Sequence, residues 1–386
     1  MPGRWKREPE VGTRLWTEDL DLEVEIISTA PRDGAQAMKI AEEHQTRCDD
    51  IMMEKGIEHV VDCFEAGIRI FDIGSAIDSK HARTTSNLIK WLIEAKKVIR
   101  KRFGAKAEAE LNFQLLILND VNDNFNFLER ARELHEAGVL DSLAYVHSHD
   151  HRFLGKNHIR RIKKEKIAPK DTTLEDLIPI LDERKDDILE ESLARKDRLT
   201  AFAKTLGVPL NIYYSNATGS IENPIKGPED IEKVVATMME IRSKLLPESR
   251  IIVSDTEAMG NPKIADELMT KLVEATENED PISEIGIHLH VRNAAEPKEV
   301  IELVRAFIKP LIGKVKKVFL EVGFANLGGC ISIDVLNKNL PCNIALEALK
   351  NMDGVHIKEL NDDKLAATDK HVTAWANELK PLAPAA

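Results

Sequence analysis

Two histidines one residue apart, His288 and His290 in "IGIHLH" (285–290), are the most chemically suggestive pair in the chain. Side chains alternate along a β-strand, so positions two apart share a face. Two imidazoles on one inward face suit a divalent cation. Asp33, in "APRDGAQ" (30–36), offers a carboxylate to the same set. Two nitrogens, one carboxylate and room for water fit Mg2+ or Mn2+, and ligand type leaves Zn2+ or Fe2+ open. Arg32 stands next to Asp33. Its guanidinium stays charged and presents a rigid fork of donors, suited to a carboxylate or a developing enolate. Cys330 closes "ANLGGC" (325–330), where two glycines deliver a thiol on a loop. Asp72 and Asp255 each end or nearly end an apolar run, and Asn339 follows Cys330 by nine residues. A second histidine series, His147, His149 and His151 in "HSHDH", also alternates. No carboxylate at a comparable strand end is left to complete a second metal set there, so a structural or substrate-contacting role is the better reading.

These residues converge only if the elements that carry them share a rim. Eight short, β-branched-rich runs recur along the chain, at 24–29, 68–74, 112–118, 142–148, 209–215, 250–255, 285–290 and 317–323. Amphipathic segments lie between them, at 80–102, 122–137, 184–206, 229–246, 263–276 and 297–309. Buried parallel strands read as near-continuous apolar runs, and helices repeat at three- and four-residue spacing. Eight rounds of alternation predict an α/β fold, a (β/α)8 barrel. A doubly wound sheet would carry a glycine-rich phosphate turn after its first strand, and none is present. Barrel active sites lie at the C-terminal ends of the strands. Arg32, Asp33, Asp72, Asp255, His288, His290 and Cys330 all sit there.

The expected organisation is an N-terminal extension (1–22), a barrel (23–352) with an insertion at about 151–183, and a helical or irregular tail (353–386). The insertion carries the one dense basic run, "GKNHIRRIKKEK" (155–166). Net charge is −12 over 386 residues, which argues against a nucleic-acid partner. No apolar run is long enough to span a bilayer. Four cysteines without a CxxC or dense pattern, and a charged N-terminus without an apolar signal core, lead us to expect a cytoplasmic protein that makes no membrane contact. A homodimer or higher homo-oligomer is expected.

The motifs resemble those of the metal-dependent, barrel-built aldolases and Claisen-type enzymes, and most of all the hydroxymethylglutaryl-CoA lyases. "VEIISTAPRDGAQ" resembles their first-strand motif, and "IFDIGSAIDSK" their second-strand block, with Asp72 where the lyases have glutamate. "SDTEAMGNP", "IGIHLH" and "ANLGGC" follow in the same order, between about residues 24 and 350. Ala37-Met38, "VRNAAEP" (291–297) and Ile331 depart from the lyase pattern. The resemblance implies that Asp33, His288, His290 and Asn339 bind the metal. It implies that Arg32 holds an enolate oxygen, Cys330 protonates the departing carbon, and Asp72 and Asp255 assist at the hydroxyl. The reaction implied is carbon–carbon cleavage of an acyl-CoA or related 3-hydroxy acid. Condensation in the reverse sense, or a barrel retained only for binding, are the alternatives. A CoA substrate needs a local cationic patch on so acidic a chain, and Lys156, Arg160, Arg161, Lys163 and Lys164 are the candidates for its nucleotide phosphates.

Overall fold

The structure, a computed structural model, describes residues 21–31, 40–75, 87–117, 127–157, 174–277, 281–292, 295–324 and 337–382. Eight parallel strands follow one another around a ring: β1 (Leu22–Ser28), β2 (Ile70–Ser75), β3 (Asn112–Ile117), β4 (Ser142–His147), β5 (Leu210–Tyr214), β6 (Ile251–Asp255), β7 (Glu284–Arg292) and β8 (Lys317–Val322). The ring closes where β8 pairs with β1, from Glu23↔Lys317 to Ser28↔Val322. The fold is therefore the (β/α)8 barrel that the alternation predicted, and each of the eight expected runs holds one of its strands. Two short strands complete the sheet. β9 (Asn337–Asn339) runs antiparallel to β7, and β10 (Val355–Ile357) runs parallel to β1 at the barrel's lower edge.

The outer layer consists of helices whose starts are written in the sequence. Pro228, Pro262 and Pro297 each open a helix, a position where the missing N–H costs nothing. Asn261 caps the second of these by accepting from the Ile264 N–H at 3.0 Å. Glu296 and Glu299 form a reciprocal capping box on the third. The outward-facing residues of the strands, such as Ile26, Phe71, Leu115, Ile287 and Leu320, join the inner faces of these helices in one continuous core.

The helix Gln45–Glu65 lies outside the expected helical segments, whereas Asp362–Leu379 falls within the tail expected to be helical or irregular. Gln45–Glu65 packs against Asp362–Leu379, and together they cover the seam at β1. Within residues 353–382 the chain forms β10 and the helix Asp362–Leu379, with Trp375 buried at 2% exposure. Between β4 and β5 the helices His151–Asn157 and Leu174–Glu183 flank the basic run and are pinned together. Asp182 accepts from His151 Nε2 and from two nitrogens of Arg152, each at 2.7 Å. No described helix is long and apolar enough to cross a membrane.

The barrel interior is built in levels. At the bottom, Ile27, Ile70 and Phe319 pack together, with the Arg250 guanidinium 3.7 Å from the centre of the Phe319 ring. Gly286 lets β7 approach β6 closely: a Cβ there would meet Ile252 Cγ1 at 2.6 Å. Above this level the interior turns polar.

Candidate metal and acid–base site

β7 directs His288 and His290 inward, as their spacing requires. Their Nε2 atoms stand 3.1 Å apart. His290 Nδ1 lies 2.8 Å from the Thr256 carbonyl. A carbonyl only accepts, so that nitrogen carries the hydrogen, and in the neutral ring Nε2 offers a lone pair toward His288. His288 Nδ1 lies 2.8 Å from Glu321 Oε2. Each ring therefore has an oxygen 2.8 Å from its Nδ1, and the two Nε2 atoms face each other. Such outer partners fix tautomer and orientation where imidazoles bind metals. Opposite His290 in the β7–β9 ladder stands Asn339. Its amide is buried, and neither its oxygen nor its nitrogen has a hydrogen-bond partner. Buried polar groups of this kind call for an explanation, and a cation between the imidazoles and the amide oxygen supplies one. The residues present fit a divalent ion. Among the described residues, no group of three or more His, Cys, Asp or Glu could hold a metal; the third polar group of this set is an asparagine.

A polar column runs across the barrel below the histidines. Asn211 Nδ2 donates to Gln114 Oε1 at 2.6 Å, and Gln114 Nε2 donates to the Tyr213 hydroxyl oxygen at 2.8 Å. That oxygen lies 2.7 Å from Asp72 Oδ2 and 2.5 Å from Glu321 Oε1. The Gly74 N–H donates to Asp72 Oδ1 at 3.2 Å. A phenol has one proton to donate, so the hydroxyl donates to one of these two carboxylates at a time. The Tyr213 ring meets His288 edge-on, with centroids 5.5 Å apart. Asp72 is thus connected to the histidine pair through Tyr213 and Glu321. Sequence reading missed both linking residues. The signal for Glu321 was a lone carboxylate at the inward parity within the apolar run after Lys317 in "KVFLEV".

Asp255 does something different. It points away from the histidines and clamps the loop after β6. Its carboxylate accepts from Thr218 Oγ1 at 2.7 Å and from the Met259 and Gly260 N–H groups at 2.9 Å. Burial pushes this carboxyl above its usual range, against the pull of those donors. The same loop carries Thr256, whose carbonyl holds His290, so Asp255 acts on the site through the backbone.

The second histidine series diverges. His147 Nδ1 lies 2.9 Å from Ser192 Oγ, on the outer side of the barrel, and burial with nearby Lys196 lowers its pKa to about 4. His149 stacks on Tyr214 with centroids 5.8 Å apart, and His151 pairs with Asp182. Three separate partners leave no common point for an ion. A cavity of about 600 Å³ lies elsewhere, between the helices Cys342–Leu349 and Asp362–Leu379, and none of the candidate residues lines it. Arg32, Asp33, Cys330, Arg160, Arg161, Lys163 and Lys164 lie outside the described residues, as does the side chain of Lys156.

No protein-family model and no curated protein matches the chain. Solved structures do. The chain is similar to a hydroxymethylglutaryl-CoA lyase from Brucella melitensis, at 15% identity and a TM-score of 0.60, over 92% of this chain and 99% of that one. It is similar to the lyase from Bacillus subtilis at 17% identity and a TM-score of 0.58, over 93% and 94%. It is also similar to the lyase from Acinetobacter baumannii, solved in complex with coenzyme A and 3-methylmalate, at 14% identity and a TM-score of 0.58, over 93% and 92%. At these identities the comparisons establish the fold: the barrel of this chain is the barrel on which solved hydroxymethylglutaryl-CoA lyases are built.

Proposed function

We propose that the protein is a divalent-metal-dependent carbon–carbon lyase that cleaves a 3-hydroxyacyl thioester of the 3-hydroxy-3-methylglutaryl-CoA type. The observation that carries this reading is the convergence of His288 Nε2 and His290 Nε2 to 3.1 Å, each ring with an oxygen 2.8 Å from its Nδ1, beside the unpartnered amide of Asn339. The likeness of fold to the lyases, and the order of the sequence motifs, support it. His288, His290 and Asn339 would hold the ion, with Asp33 as the carboxylate ligand. When bound, the ion supplies positive charge against the substrate's oxygens.

The remaining chemistry falls to the chain's own groups. Asp72 takes the proton of the substrate's 3-hydroxyl. The C2–C3 bond breaks as the 3-oxygen becomes a carbonyl, and the electron pair passes into the thioester enolate. Arg32 holds the enolate oxygen, and Cys330 returns a proton to C2. One proton is taken and one is given, so the products are a carbonyl compound and a shorter acyl thioester. The CoA nucleotide phosphates would dock on Lys156, Arg160, Arg161, Lys163 and Lys164.

The test is a panel of 3-hydroxyacyl-CoA thioesters offered with Mg2+ or Mn2+, with products identified by mass spectrometry. A shorter acyl-CoA is the expected product. Protein that binds Mn2+ yet cleaves no thioester overturns the lyase, and free CoA released from an acyl-CoA and a 2-oxo acid assigns condensation instead. His288→Ala should lose most bound metal, whereas His147→Ala should keep it.

A further inference from the structure

The chain places a carboxylate where the sequence motifs suggest none. Glu321 sits on β8, inside the barrel, at 1% exposure. Its register partner on β7 is His288 itself. Glu321 Oε2 lies 2.8 Å from His288 Nδ1, while Oε1 lies 2.5 Å from the Tyr213 hydroxyl. Oε1 is thus the hydrogen-bonded oxygen, and Oε2 sets its charge against the His288 ring. The hydroxyl in turn reaches Asp72 Oδ2 at 2.7 Å.

We propose that Glu321 is the positioning residue of His288, and that Tyr213 ties it to Asp72 so that the cation-binding and proton-handling halves of the site are aligned as one unit. The inference rests on the metal-binding reading above and deepens it. A histidine ring left to itself exchanges between two tautomers, and only one presents Nε2 as a lone pair. Glu321 favours that tautomer because its negative charge, 2.8 Å from Nδ1, attracts a hydrogen there, and the same charge makes the opposite nitrogen a stronger donor to a cation. His290 reaches the same state by a different device, the Thr256 carbonyl. That carbonyl carries no full charge, so the stronger of the two imidazole ligands is His288.

The experiment is a calorimetric Mn2+ titration of the parent protein, Glu321→Leu, Glu321→Gln and Tyr213→Phe, with histidine 15N NMR of each metal-free protein to read the tautomer. Outer partners of metal-bound histidines are worth about 10- to 100-fold in affinity. Glu321→Leu should lose that much, and its His288 should spread over both tautomers. Glu321→Gln removes the charge and keeps a polar oxygen, so it should fall between the parent and Glu321→Leu in both readouts. Tyr213→Phe should weaken binding least. If Glu321→Leu fails to fold, Glu321→Gln alone decides, because its folded-state tautomer and affinity are both measurable. Parent and Glu321 variants binding Mn2+ equally, or His288 keeping a single tautomer in Glu321→Leu, overturns the inference and leaves the metal site standing. A parent protein that binds no Mn2+ overturns the metal reading itself.

Discussion

Asp72 Oδ2 lies 2.7 Å from the hydroxyl of Tyr213, so the candidate proton acceptor of the reaction is itself in contact with a proton donor. Asp72→Asn preserves shape and hydrogen bonding but removes the ability to take a proton. Turnover should fall by roughly 10²- to 10⁴-fold, the usual worth of a positioned acid or base, while the thermal midpoint stays near that of the parent. Undiminished turnover in single-turnover assays would remove Asp72 from the chemistry.

Asp255 is expected to behave as a clamp. Asp255→Ala leaves the Met259 and Gly260 N–H groups and the Thr218 hydroxyl without their acceptor. Stability should fall by about 1–3 kcal/mol for a buried donor left unsatisfied, as read by denaturant unfolding. Mn2+ affinity should fall with it, because the loop that orients His290 loosens. A variant that keeps parental stability and metal affinity but loses turnover would assign Asp255 a direct chemical role instead.

His59 gives the fold a pH dependence of its own. It is buried between the β1 seam and two helices, with Nε2 2.9 Å from Ser28 Oγ and its ring edge-on to Phe71 and Phe324. Burial lowers its pKa from 6.5 to about 3. The unfolded chain therefore binds a proton at His59 before the folded one does. This stability is fully present above pH 6.5 and is lost as pH falls toward 3, at up to about 1.4 kcal/mol per unit. His59→Met should flatten the dependence of unfolding free energy on pH across that window. An unchanged slope would show that other groups set it.

The basic run is expected to act through exposed charge. The Michaelis constant for a CoA thioester should rise with ionic strength, since the Debye length shrinks from about 10 Å at 0.1 M to roughly 3 Å at 1 M salt. Replacing Arg160, Arg161, Lys163 and Lys164 by glutamine should abolish that rise and leave Mn2+ binding intact. A quadruple variant with parental salt dependence would place the CoA phosphates elsewhere.

The strands were legible because each is a compact apolar run, and period-two alternation alone puts His288 and His290 on one face. The helix Gln45–Glu65 was not, because its buried face includes Gly56, His59 and two cysteines, which interrupt an apolar stripe. The helix Asp362–Leu379, left open between helical and irregular in the sequence, buries residues as varied as Leu365, Thr368 and Trp375, and its partner is that unread helix. Asp255 and Asp72 look alike in sequence, each an aspartate in or closing an apolar strand. One additional residue of register turns the first outward into a loop clamp and leaves the second inside the barrel. The links through Tyr213 and Glu321 join residues 72, 213, 288 and 321, and only the closed barrel brings such distant positions within one hydrogen bond of each other.

That polar column also braces the barrel. Neighbouring strands are already joined by their ladders, but Asn211, Gln114, Tyr213, Asp72 and Glu321 bind β2, β3, β5 and β8 across the axis, skipping the strands between. To peel one of these strands away breaks side-chain bonds to others on the far wall as well as its own ladder. Opening is then cooperative over much of the circumference, and the amide hydrogens of these four strands should exchange with solvent only when the whole barrel opens. The groups gathered for proton and cation chemistry thereby make the inner wall a single unfolding unit.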